Sequence, residues 1–253
     1  MYLKKIFPKN NLPIKGDKNK SMKNDFVVID TETTGTDPLV DHVVEVAIVS
    51  ISAGKIGQGW STLVKPPCHI PAKTSAVHHI SDADVEGAPS IGNLAPMLSR
   101  LIGDSVIVAH NAKFDKGFLP FLSNSKWLCS LRLARHLWPD FESHSNQALR
   151  YELGLRMDVP RSQRIAHSAL DDARMTAEIF CVEHKKALSE VFNHAGNVSM
   201  DDLLGFVNSP YPVRIMNFGK HKGMLVKDLP MDYVHWLRKN SDDEDLLLSL
   251  PSR

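Results

Sequence analysis

The chain has 253 residues, of which 43% are hydrophobic and 23% charged, and its formal net charge is +1. That is enough for one sizeable globular domain, or one domain plus a small appendage, of ordinary soluble composition. No apolar run approaches the length needed to cross a bilayer, and with so little net charge any affinity for nucleic acid has to come from local clusters.

Residues 1–24 read as a basic, disordered arm. Lys4, Lys5, Lys9, Lys15, Lys18, Lys20 and Lys23 face a single acid, Asp17, and no apolar period appears. Such an arm attracts phosphates non-specifically. Pro8 and a polar stretch follow Lys4 and Lys5, so no secretory signal is expected and the chain is read as cytoplasmic. Phe26-Val-Val-Ile-Asp30 is a β-branched apolar run and predicts a buried strand. Thr33 to Pro38 is a turn by composition, and Val43 to Val49 and Lys55 to Val64 predict two further strands. Helical spacing then alternates with short strands. Ile91 to Ile102 predicts a helix and Val106 to Ala109 a strand. Leu131 to Leu137, Asn146 to Leu153 and Ala169 to Lys186 predict helices. A meander followed by alternation points to an α/β sheet with helices on its faces.

After about residue 188 the pattern changes. Ser199-Met-Asp-Asp opens a helix, and Pro210 and Pro212 break it. Arg214 to Phe218, Gly219 to Gly223 and Met231 to Lys239 predict a strand, a basic turn and a helix in a small C-terminal module. The acidic cluster Ser241 to Asp245 reads as a solvated end. The three cysteines, Cys68, Cys129 and Cys181, form no Cys-x-x-Cys pair, so reduced, mostly buried thiols are expected rather than zinc ligands or disulfides.

Three polar segments interrupt this apolar frame. Asp30 and Glu32 stand two apart at a strand end, so their carboxylates share a face and repel one another. A divalent cation would offset that repulsion, and oxygen-only ligands suit Mg²⁺ or Mn²⁺. His110 and Asn111 end a second strand, and Asp115 follows in a first helical turn, where it either caps the helix or serves the site. His167 precedes a helix that opens with Asp171 and Asp172. Neighbours on a helix point about 100° apart, so these two acids should not both face one site.

Together the three segments resemble the DEDDh 3′–5′ exonucleases, over residues 26 to 185 or so. The resemblance implies a ribonuclease H-like mixed five-stranded sheet flanked by helices. It implies Asp30, Glu32, Asp115 and Asp172 as ligands of two metal ions and His167 as general base, and it selects Asp172 over Asp171 because the histidine stands five residues before the ligand. Ser168 occupies the place of the tyrosine that marks the sister class. The implied chemistry is in-line hydrolysis that releases nucleoside 5′-monophosphates. Thr33, Thr34, His78 and Ile80 then lie beside the terminal nucleotide, and Asn111 binds phosphate or supports Asp115.

The stretches Trp127 to Pro139, Ser145 to Leu149, Phe218 to Gly223 and Asp232 to Leu237 are similar to those of a DNA-degrading branch of the family. The arm at 1–24 and the segment before Phe218 depart from that branch. The expected division is an exonuclease domain over 25–190, a connecting segment over 191–210 and a module over 211–253. In the module Lys220 and Lys222, with Tyr233 and Trp236, could hold a strand. The expected partners are DNA 3′ ends, single-stranded or duplex. RNA trimming, a polymerase proofreading subunit and a non-catalytic nucleic-acid-binding protein are the alternatives. Nothing in the sequence specifies an oligomeric state.

Overall fold

The computed structural model describes residues 26–155, 168–193, 198–216 and 218–252. The arm at 1–24 and His167 lie outside the described residues. Five strands, β1 (Phe26–Thr33), β2 (Val43–Ser52), β3 (Lys55–Leu63), β4 (Val106–Ala109) and β5 (Trp127–Cys129), form one mixed sheet. Their order across the sheet is β3-β2-β1-β4-β5. β1 to β3 are an antiparallel meander, whereas β4 and β5 run parallel to β1. Ala53 and Gly54 close the β2–β3 hairpin with φ of 49° and 72°. Two consecutive left-handed residues match the twist of the flanking strands.

Strand alternation divides the core. Val27, Ile29, Val46, Ile48 and Ile107 point to one face. There they meet Leu94, Leu98 and Ile102 of α3 (Ile91–Ile102) and Phe118 of α4 (Ala112–Phe118), while α1 (Ala72–His78) and α2 (Asp82–Val85) precede these in the chain. Phe26, Val28, Ala47, Val49 and Val108 point to the other face. There they meet α7 (Ala169–Lys186) through Ala169, Ala173, Ala177 and Phe180, a spacing of one helical stripe. The alanines bring this helix close to the sheet, and Phe180 packs edge-on against Phe26 at 4.8 Å. Between them in the chain come α5 (Ser130–Leu137) and α6 (Asn146–Glu152).

The segment expected only to connect, 191–210, carries α8 (Met200–Asn208). Leu203 and Val207 of α8 join the same core cluster as α7. Beyond it, Met216, Val226, Leu229, Tyr233, Val234, Leu237, Leu246 and Leu250 form a separate apolar cluster. It includes α9 (Met231–Asn240) and α10 (Glu244–Ser249). Arg132 on α5 ties the two clusters together. It donates to the carbonyls of Val207 (3.0 Å) and Ser209 (2.8 Å) and to the Asp245 carboxylate (2.6 Å).

Three local expectations need correction. The acidic cluster at 241–245 is solvated at Asp242, Asp243 and Glu244 but not at Asp245. Asp243 caps α10 by accepting from the Leu246 N–H, and Asp245 is 7% exposed because it answers Arg132 and the Tyr211 N–H. Among the described residues of 214–218 no strand forms, and a single bridge pairs Ile215 with Leu225. The cysteines are free, but Cys68 is exposed and the other two are only partly covered. No helix among the described residues is long and apolar enough to cross a membrane.

Candidate active site

Because β1 and β4 are parallel, their carboxyl ends emerge at the same edge of the sheet. Asp30 and Glu32 stand at the end of β1 on the face that α7 covers, following Phe26 and Val28 at intervals of two. The end of β4 turns through Asn111, whose backbone is left-handed (φ 80°, ψ 52°), directly into α4 with Asp115 in its first turn. α7 descends onto the β1 face with Asp172 in its own first turn.

Asp30, Glu32 and Asp172 each place a carboxylate oxygen so that all three lie within 4.8 Å of one another. Asp171 points elsewhere, 4.0 Å from Arg174 Nη1. Asp115 is outside that group of three. It is 3% exposed, and its Oδ1 accepts from Thr31 Oγ1 at 2.8 Å. It is nonetheless close enough to raise the pKa of both Asp30 and Glu32.

A fourth acid on this face, Glu45, went unrecognised in the sequence. The antiparallel register sets it directly opposite Glu32. Its signal was an acid within the apolar run Val43-Val-Glu-Val-Ala, on the side of the strand that faces the core.

Burial and mutual repulsion make this cluster hold protons strongly. Burial first, then Asp115, Asp172, Glu32 and Glu45, push Asp30 well above the usual carboxylate range. Burial and then Asp172, Glu45 and Asp115 raise Glu32 to about 8. Burial lifts Asp115 to about 7, with Thr31 pulling the other way. Converging carboxylate oxygens are the donor set of a hard divalent ion, and the arrangement is compatible with one.

The other residues named from the sequence are placed as follows. Thr33 Oγ1 donates to the Gly35 carbonyl, and Thr34 Oγ1 donates to Asp41 and accepts from the His42 N–H, so both hydroxyls brace the turn after β1. His78 accepts from the Ile80 N–H, and Ile80 is 7% exposed among Val44, Ile70 and Val85. Asn111 is exposed. His110 is pushed down to about 4 by burial and donates to the His144 carbonyl at 2.8 Å, a neutral structural ring. Lys220 lies over the Tyr233 ring at 5.2 Å, and Tyr233 stacks on Trp236, which is 51% exposed. Lys222 lines a cleft of about 570 Å³ together with His110, Arg135, Phe141 and Arg214.

Comparison with known proteins agrees with this geometry. The RNase_T family, described as Exonuclease, matches residues 27–180. A second family, described as a putative quorum-sensing-regulated virulence factor, matches residues 212–242. Exodeoxyribonuclease 10 of Escherichia coli K12 is 33% identical over 218 residues, covering 85% of this chain and 91% of that protein. The PolC-type DNA polymerase III of Clostridium perfringens is 31% identical over 228 residues, 87% of this chain but 14% of the polymerase. The structure of exonuclease X in complex with 5′ overhanging duplex DNA superimposes with a TM-score of 0.60 at 32% identity, covering 72% of this chain and 99% of that one. The five-stranded mixed sheet, the edge at which its acids converge and these matches lead to one assignment: the chain belongs to the RNase_T exonuclease family.

Proposed function

We propose that this exonuclease is metal-dependent and hydrolyses DNA from its 3′ end to nucleoside 5′-monophosphates. The observation that carries the reading is the convergence of Asp30, Glu32 and Asp172 at the sheet edge, with Asp115 behind them. Similarity to exodeoxyribonuclease 10 along most of both chains supports DNA as the polymer. Two Mg²⁺ or Mn²⁺ ions, bound by Asp30, Glu32, Asp115 and Asp172, would supply charge neutralisation at the scissile phosphate and a lowered pKa for the attacking water.

The chain's own groups have separable tasks. Thr31 holds Asp115 in one orientation. The braced turn at Thr33 and Thr34 and the segment from His78 to Ile80 flank the terminal nucleotide, and Asn111 supports Asp115. His167 directly precedes Ser168, the N-cap of α7, so it is tethered to the helix that carries Asp172. Its imidazole takes the proton of the water that attacks phosphorus, while the bond from phosphorus to the 3′ oxygen breaks. Residues 211–253 act as a module that contacts the strand away from the reacting end. Lys220 and Lys222 contact phosphates there, and Trp236 offers a ring to a base.

The test is stepwise shortening of 5′-labelled DNA and RNA oligonucleotides of matched sequence, with a metal panel. Asp30→Ala should abolish metal-dependent shortening and leave the fold intact. Unchanged turnover in that variant, or a strong preference for RNA, would overturn the metal centre or the polymer respectively. The match to a segment of a PolC-type polymerase favours a second reading, a proofreading partner. Stable co-purification with a polymerase would support it.

A further inference from the structure

We infer that Glu45 is a positioning residue for this reaction: from β2 it accepts the backbone N–H of Ala169 and so sets the first turn of α7, and with it Asp172, against Asp30 and Glu32. The inference rests on the reading of Asp172 as a metal ligand. Ala169 opens α7, and its N–H has no carbonyl partner within the helix. The residue that ordinarily answers such a group is the N-cap side chain. Here the N-cap is Ser168, and its side chain makes no capping bond. The acceptor comes instead from the sheet, as Glu45 Oε2 lies 3.1 Å from the Ala169 nitrogen. Glu45 is itself held by a hydrogen bond from the Ser61 side chain on β3. Asp172 lies one helical turn further on, and its own N–H makes the first bond of that turn, to the Ser168 carbonyl at 3.0 Å. Fraying of the first turn would therefore release Asp172 directly.

A second contact lies at the same turn. Gly59 on β3 faces α7, and a β-carbon built there would stand 2.6 Å from Leu170 Cδ1. It would also stand 3.5 Å from Arg174 Nε. The movable end of the Leu170 side chain fills the space that a β-carbon at Gly59 would take, and the Glu45 carboxylate sets the height of α7 along the sheet. The β2–β3 hairpin thus acts as a jig for the ligand-bearing helix. Glu45 sits opposite Glu32 in register, so one strand pair locates ligands from both β1 and α7.

Four substitutions test this. Glu45→Gln keeps an oxygen at the same reach without the charge, and Glu45→Asp keeps the charge but withdraws the oxygen by one methylene. Glu45→Ala removes both, and Gly59→Ala leaves the acceptor in place but crowds Leu170. Displacement of a ligand by about 1 Å costs on the order of 100-fold in rate. Lost support of a ligand raises the metal requirement by about 10- to 100-fold. The expected result is that Glu45→Ala and Glu45→Asp lower kcat by about 10- to 100-fold, whereas Gly59→Ala, which the end of the Leu170 side chain can accommodate, stays near the parent. In those two Glu45 variants the Mg²⁺ concentration for half-maximal rate should rise, and KM for a DNA oligonucleotide should not change. Glu45→Gln should stay within about threefold of the parent in both kcat and metal requirement. Gln and Asp differ little from Glu in size, so the pair stays informative if Ala or the glycine variant folds poorly. A parent-like Asp variant beside a defective Gln variant would mean that charge matters and not the bond, and would overturn the inference. An inactive Asp172→Asn beside a parent-like Glu45→Ala would overturn it and leave the metal centre standing. A fully active Asp172→Asn would overturn both.

Discussion

Replacing Glu32 by Gln should make the metal-free protein more stable and inactive at once. Glu32 ionises at about 8 in the folded protein, against 4.5 ordinarily. As pH rises from 4.5 to about 8 the unfolded chain has already released this proton, whereas the folded chain still holds it. Stability is therefore lost across that window, and the loss is complete above pH 8. At 1.36 kcal/mol per pH unit the ceiling is about 5 kcal/mol, and contact with solvent at the mouth of the site leaves about 2–3 kcal/mol of it. Gln carries no such cost. In a chelator at pH 8.5, Glu32→Gln should melt about 4–12 °C above the parent, because each kcal/mol moves Tm by about 2–4 °C in a chain of this size. At pH 4.5 the two should melt together. Saturating Mg²⁺ should reverse the order, since the parent gains binding free energy that the variant has lost. Exonuclease activity should fall by about 100-fold or more, as when one group that stabilises developing charge is removed. Differential scanning fluorimetry at the two pH values, with and without metal, reads all of this. A variant no more stable than the parent at pH 8.5 in chelator, or equally stabilised at pH 4.5, would refute the reasoning.

Thr31→Val removes the hydroxyl that lowers the Asp115 pKa from within a buried site. The acidic limb of the kcat/KM profile should move up by about one pH unit; an unmoved limb would separate Asp115 from catalysis. Glu183 on α7 is fully buried and held well above the carboxylate range by burial. Glu183→Gln should therefore stabilise the protein at pH 7 and not below pH 4.5, as measured by urea unfolding. Arg132→Ala leaves Asp245 without its ion-pair partner and removes the guanidinium bonds to the Val207 and Ser209 carbonyls, the second of which keeps His136 as a donor. A loss of about 2–4 kcal/mol and new proteolysis near Pro210 are expected, and an unchanged melting curve would mean the C-terminal cluster is held by other contacts. Replacing both Lys220 and Lys222 by Ala should weaken binding to long single strands and reduce the slope of log affinity against log salt by about 2. Turnover of a short oligonucleotide should be unaffected.

The architecture was legible where chemistry is local. β-branched runs marked β1, β2 and β4, and helical spacing marked α7. Strand alternation alone put Asp30 and Glu32 on one face, and the 100° step of a helix separated Asp172 from Asp171. Glu45 was not legible in the same way. Its place beside Glu32 depends on which residues of two antiparallel strands stand opposite, and its bond to Ala169 spans 124 positions of the chain. Asp245 likewise looked like part of a solvated tail until Arg132, 113 residues earlier, was found beside it. Sequence by itself determined the element types and the pair of carboxylates at the end of β1, because those follow from the periodicity of a single segment. The family resemblance had already named Asp115 and Asp172, but only the tertiary structure decided that the Asp172 carboxylate lies within 4.8 Å of the pair, that Asp115 stands behind against Thr31, and that Glu45 accepts from the first turn of α7. Those relations depend on strand register and helix placement, which arise from packing between segments distant in the chain.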